Sequence, residues 1–296
     1  MKPNTGVKTL WSELLPYEFK RRLAKFPLVY LPLGLCEPHG QVSAFGLDTI
    51  KAEWLCRQAA ERIGGIVAPS MGYHIHESGN HAKWLEETIG EENPHMTSVP
   101  PAIFLHFFLY QLRAFVNAGF RKIVVLTGHG GGNQKDIRLA AEKFMERVPV
   151  KIWVRSDPEL VEGIYDGDHA GKYEISQLMY IRPDLVDMGA LHYEDVPGSG
   201  GRLALGTDAD EASPMLGGQI MQASLDRLCM EARQLKDQAV STSIPRIPYY
   251  TVEMIWSEVL RHIADWVTSN PGHEQREVSL TSQWKIYEQY RPMSTI

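Results

Sequence analysis

Short, almost wholly apolar runs alternate along this chain with longer stretches of helical period. Residues 27–33 (PLVYLPL) and 122–127 (KIVVLT) carry the composition of strands buried on both faces of a mainly parallel sheet. Residues 66–69 and 150–154 read as two further short strands. Between them the spacing predicts helices over 49–63, stopped by Gly64-Gly65, over 102–118, stopped by Gly119, and over 134–147. An amphipathic stretch spans 11–25, a helix spans 171–181 up to Arg182-Pro183, and helical patterns cover 214–240 and 251–268. Residues 72–101 look irregular and are rich in His, Asn, Glu and Gly; residues 190–213 look loop-like around Pro197-Gly-Ser-Gly-Gly201.

The alternation predicts an α/β fold in which polar, Gly-rich loops follow the carboxyl ends of strands, the edge where open α/β sheets bind ligands. Residues 1–240 are expected to form the main domain, with 241–296 a helical extension packed on it. Composition narrows the function classes. A 296-residue chain with 44% hydrophobic and 22% charged residues is that of a globular protein with a sizeable core. A net charge of −6 and the absence of Lys/Arg-rich runs argue against nucleic acid or an anionic membrane as partner. No run approaches a membrane span and no signal-peptide pattern opens the chain. Cys36, Cys56 and Cys229 form no CxxC pair, which fits a reduced, cytoplasmic protein. Cys36 reads as a small buried residue rather than as a reactive thiol.

Three clusters carry candidate chemistry. After the first strand come Glu37, His39 and, shortly beyond, Asp48. Glu37 and His39 are two residues apart, so an extended segment turns both to the same side. Carboxylate and imidazole without thiolate suit a catalytic divalent metal such as zinc, manganese or iron. The second cluster is Thr127-Gly-His-Gly-Gly-Gly-Asn133, where glycines bring backbone close to a ligand and His129 stands at the sheet edge. It lacks the spacing of a phosphate loop or a dinucleotide fingerprint. The third is Asp166-Gly-Asp-His-Ala-Gly-Lys-Tyr-Glu-Ile-Ser176, which offers His169 and Glu174 from one loop–helix junction. Glu174 also has a plain reading as a helix-dipole partner, and Asp168 as an N-cap.

Taken in order, LPLGxxExHG with a downstream Asp, GHGGxN and HAGxxExS resemble the creatininase (creatinine amidohydrolase) family. Leu178-Met-Tyr-Ile-Arg-Pro-Asp-Leu-Val186 and Ala212-Ser-Pro-Met-Leu-Gly217 extend the resemblance, which covers roughly residues 8–240. It implies a three-layer α/β/α domain, two divalent metal ions, hydrolysis of a C–N bond in a small cyclic or linear amide, and a homo-oligomer, commonly a hexamer. Carried over, it implies that Glu37 and His129 hold one ion and His39 and Glu174 the other. Asp48 would bridge them, and His169 would be the catalytic proton-transfer group beside a metal-bridging hydroxide. Gly130, Gly131 and His81 are expected to shape the substrate site. The chain departs from the pattern at Gly131, where creatininase itself has a further metal-binding Glu. It departs again around Gly79-Asn-His-Ala-Lys-Trp84, which keeps His81 but not the usual Phe-Pro-Gly-Thr ending. Creatinine is therefore not the expected substrate.

Two other readings stand beside this one: a deformylase or peptidase on the same scaffold, and a non-catalytic member that binds a small ligand. His106 and His262 sit in helical patterns and read as structural. His74 and His76 either line a pocket or bond backbone, and Trp84, Trp153 and Tyr173 are core residues or pocket walls. His192, His273 and the stretch from Ser269 onward show no chemistry.

Overall fold

The computed structural model describes residues 7–194, 204–241 and 243–292. The loop core at Pro197-Gly-Ser-Gly-Gly201 lies outside the described residues. The chain runs through α1 (Pro16–Lys25), β1 (Leu28–Leu33), α2 (Leu47–Arg62), β2 (Ile66–Val67), α3 (Asn80–Thr88) and α4 (Pro101–Ala118). It continues through β3 (Lys122–Thr127), α5 (Asn133–Arg147), β4 (Lys151–Ser156), α6 (Lys172–Ile181), α7 (Pro214–Asp237) and α8 (Tyr249–Leu260). The four strands form one parallel sheet in the order β2-β1-β3-β4, with Leu28 to Leu33 in register with Lys122 to Thr127.

Alternation along the two central strands divides the core. Val29, Leu31, Leu33, Ile123 and Val125 face a cluster built by α4, α5 and α8, including Phe104, Phe108, Phe144 and Ile255. Leu28, Tyr30, Val124 and Leu126 face the other way, onto α2 and α7. Helices thus cover both faces of the sheet, the expected three-layer α/β/α sandwich. Strands buried on both faces have no polar side to present, which is why their sequences are continuous apolar runs.

This order matters for the site. From β1 the chain passes to β2 on one side, then crosses back to β3 on the other. The reversal opens a crevice at the carboxyl ends of β1 and β3, where ligands bind in open α/β sheets.

Two elements depart from the sequence reading. α3 forms inside the stretch expected to be irregular. Its Ala82 and Leu85, with Ile89 just beyond, pack against Val278 and Trp284. That apolar partner lies far along the chain, so no local period announces the helix. Conversely, α8 ends at Leu260 although the helical pattern runs on. Trp266 is buried, and the Asp136 carboxylate of α5 accepts the Val267 and Thr268 amides at 3.1 and 2.9 Å and the Thr268 hydroxyl at 2.6 Å. These long-range bonds hold the backbone out of the helix.

Candidate metal centre

β1 runs out at Leu33, and the segment behind it delivers Glu37 and His39 to the crevice. Both are buried, and His39 Nδ1 donates to the Glu37 carbonyl at 3.0 Å. This bond fixes the ring so that Nε2 is the free ligand nitrogen. Asp48 sits in the first turn of α2, and Gly128 at the end of β3 packs directly on it. A Cβ at Gly128 would stand 2.1 Å from the Asp48 carbonyl oxygen. That close approach brings His129 within reach of the carboxylates.

His129 Nδ1 lies 2.7 Å from Glu37 Oε1 and 3.4 Å from Asp48 Oδ2. His39 Nε2 lies 3.5 Å from Asp48 Oδ1 and 3.4 Å from Glu174 Oε2. Ligand atoms about 2.0–2.2 Å from one tetrahedral ion stand roughly 3.3–3.6 Å apart, so most of these separations match atoms that share an ion. Two of the resulting groups, Glu37–Asp48–His129 and His39–Asp48–Glu174, have Asp48 in common, and a further one joins His169 to Glu37 and His39. Both Asp48 oxygens, Glu37 Oε2 and His39 Nε2 are buried without a hydrogen-bond partner. Orphaned donors and acceptors gathered at one point, all of them oxygen or imidazole nitrogen, fit divalent cations.

Electrostatics point the same way. Burial works against charge on Glu37, yet the facing His129 and His76 hold its carboxyl well below the ordinary range. Burial likewise opposes protonation of His129, but Glu37 and Asp48 push its imidazole up to about 10. Behind Glu174 lies the fully buried Lys51, whose Nζ is 2.5 Å from Glu174 Oε1, 3.4 Å from Asp157 and 3.7 Å from Asp48. Burial raises Glu174, but this ammonium and His39 more than offset it and leave the carboxyl low. Glu174 Oε2 also accepts the Ala170 amide at 2.9 Å. Sequence reasoning passed over Lys51 because a lysine in a helical pattern reads as solvated.

His169 stands at the rim of the cluster. Its Nε2 donates to the Pro38 carbonyl at 3.0 Å, and its ring stacks on His39 with centroids 4.8 Å apart. Asp168 is not itself the N-cap of α6, which is Gly171, but its side chain serves the start of the helix from three residues upstream. Its carboxylate accepts the Gly171, Tyr173 and Glu174 amides at 3.2, 2.8 and 3.3 Å.

A cavity of about 500 Å³ opens over the centre, lined by Glu37, His129, His169 and Glu174 and by Gly130, Gly131 and His81. His76 and Trp84 also line it, and Trp84 meets both His76 and His169 edge-on. Residues 272–275 form its outer rim, though the sequence showed no chemistry there. The sequence left His74 and His76, which have the same two-residue spacing as Glu37 and His39, between lining a pocket and bonding backbone. Only His76 lines the cavity. His74 is buried behind it, stacked on Phe104 and accepting the Ile75 amide. Trp153 and Tyr173 pack in the core, and His106 stacks on Trp256.

Comparison with known proteins agrees with this geometry. The family model for creatinine amidohydrolase matches residues 12–230. The creatinine amidohydrolase of Pseudomonas putida is 26% identical over 196 residues, 60% of this chain and 73% of that protein. The 3-dehydro-scyllo-inosose hydrolase of Thermotoga maritima is 29% identical over 144 residues, 49% of this chain but only 42% of the relative. Among solved structures, a manganese creatininase superposes with a TM-score of 0.64 at 22% identity, covering 78% of this chain and all of the other. A mutant creatininase of the Zn–Zn type (TM-score 0.62, 22% identity) covers the same shares. A putative creatinine amidohydrolase from Bacteroides fragilis superposes with a TM-score of 0.62 at 21% identity, covering 78% of this chain and 97% of the other. With a family match over most of its length, the chain belongs to the creatinine amidohydrolase (creatininase) family of hydrolases.

Proposed function

We propose that this protein hydrolyses a C–N amide bond of a small molecule at two divalent metal ions. Glu37, Asp48 and His129 would hold one ion and His39, Asp48 and Glu174 the other. The observation that carries this reading is the pair of buried carboxylate–imidazole groups sharing Asp48, with unpartnered ligand atoms on the floor of a cavity. Such ions, when bound, supply an acidified water as nucleophile and an electrophile for the carbonyl oxygen.

The chain supplies the rest. His169 is locked by its Nε2–H bond to Pro38, which leaves Nδ1 as the ring nitrogen that can carry a proton to the leaving amine. Trp84 stands beside it as an apolar wall, and Gly130 and Gly131 keep the loop behind His129 free of side chains. A cavity of about 500 Å³ suits a small molecule. The creatininase relatives favour an amide, and one solved mutant creatininase is complexed with creatine.

The test is metal dependence joined to a substrate panel. The purified protein should carry divalent metal, lose hydrolysis of at least one lactam, formamide or short peptide on chelation, and regain it with zinc or manganese. Hydrolysis indifferent to chelation would sink the reading. Which member of the panel is opened separates a cyclic amidohydrolase from a deformylase or peptidase.

A further inference from the structure

One part of the cavity floor is not used by that reading. His76 and His81 are buried; neither ring nitrogen of His81 has a polar partner, and His76 has only Glu37, which faces its Nε2. An unsatisfied buried polar atom is costly, so three of them side by side need a physical cause. The two rings lie with centroids 4.8 Å apart, and that of His76 is 4.7 Å from His129. Ligand nitrogens of His76, His81 and His129 all lie within 4.8 Å of one another. His76 Nε2 is also 3.0 Å from Glu37 Oε2, the carboxylate oxygen turned away from His129.

The loop is shaped to admit these rings. A Cβ on Gly131 would stand 2.3 Å from His81 Nε2, and the φ of +82° at this position itself favours glycine. Asn80, the first residue of α3, ties the helix to the loop by donating to the Gly131 carbonyl at 2.8 Å. His81 is thus held in the space that a side chain at position 131 would fill.

Resting on the two-ion reading above, we infer that His76 and His81 are nitrogen ligands to the ion held by Glu37, Asp48 and His129. A cation resolves what the protein alone leaves open: three imidazoles converge beside one carboxylate that His129 and His76 already share, and His81 finds no polar partner there. It also makes the two positions unlike. The first has three imidazoles, whereas the second, at His39, Asp48 and Glu174, has one imidazole and two carboxylates. Imidazole favours zinc over manganese, and carboxylate oxygen accepts the harder ion.

The experiment loads metal-free protein with equimolar zinc and manganese, removes free ions and measures bound metal by mass spectrometry. The wild type should retain zinc preferentially at one position. The His76→Ala/His81→Ala double variant, with folding checked by circular dichroism, should lose that preference on the order of 10–100-fold. Diffraction at the zinc edge on the wild type should place zinc within bonding distance of His76 or His81, which decides the matter should the variant not fold. An unchanged preference in a folded variant, or zinc remote from both rings, overturns the inference while leaving the two-ion reading intact. A wild type that retains no metal overturns both.

Discussion

At the scale of single residues, the centre separates groups that hold an ion from the group that handles a proton. His129 faces Glu37 and Asp48, whereas His169, although a ligand atom of its ring lies within 4.8 Å of those of Glu37 and His39, gives Nε2 to the Pro38 carbonyl and stacks on His39. His169→Ala should therefore keep its metal and slow the chemical step by about 10²–10⁴-fold, the contribution of a positioned general acid or base. His129→Ala should lose or weaken one metal, because so few ligands cannot spare an imidazole. Metal analysis beside single-turnover kinetics checks both. Loss of one metal equivalent in His169→Ala would make that residue a ligand and leave the acid unassigned. Asp168 is a poor substitute for it, since three α6 amides already occupy its carboxylate.

At the scale of elements, the site depends on how α2, α6 and the loop after β3 are pressed together. Lys51 of α2 is the fastener, placed among Glu174 of α6, Asp157 and Asp48 with no exposure to water. A buried cation has lost its hydration, and only the surrounding carboxylates compensate. Removing it strands their charges. Lys51→Met should destabilise the metal-free protein by about 3–5 kcal/mol, read as a lower urea midpoint. An unchanged midpoint would mean the carboxylates have another counter-charge. At this scale the sequence was uneven. Helices α2 and α4 were legible because each has a period and a stop signal of its own, and α5 through its period alone. Helix α3 and the end of α8 were not, because Trp284 and Asp136, which decide them, lie far away in the chain.

At the scale of the whole molecule, α4 bears on assembly. Its buried side, including Phe104 and Phe108, completes the core, yet Ile103 and Phe107 on its outer side are 61% and 52% exposed. Tyr249, Tyr250 and Met254 of α8 are exposed as well, so two neighbouring helices present apolar surface outward. Exposed apolar side chains gathered on neighbouring helices are where a second chain would pack. A homo-oligomer, with a hexamer as the assembly the family resemblance implies, should appear by light scattering at micromolar concentration; a monomer there would refute it.

What the sequence determined by itself was everything carried by local period and spacing. The apolar runs at 28–33 and 122–127 fit strands buried on both faces. Glu37 and His39, two residues apart beyond such a strand, were bound to share a side, and the loop glycines around His129 marked a close backbone approach. Tertiary structure decided which of many polar residues meet. Nothing local distinguishes His76 from His74, and yet one lines the cavity while the other stacks on Phe104. Nor does any motif mark Lys51, or the rim at 272–275, whose Gln275 donates to the Asn80 carbonyl of α3. Periodicity reports which face of an element is buried. It is silent on what lies opposite that face, because that depends on strand order, and the crossing from β2 back to β3 is written in no single segment.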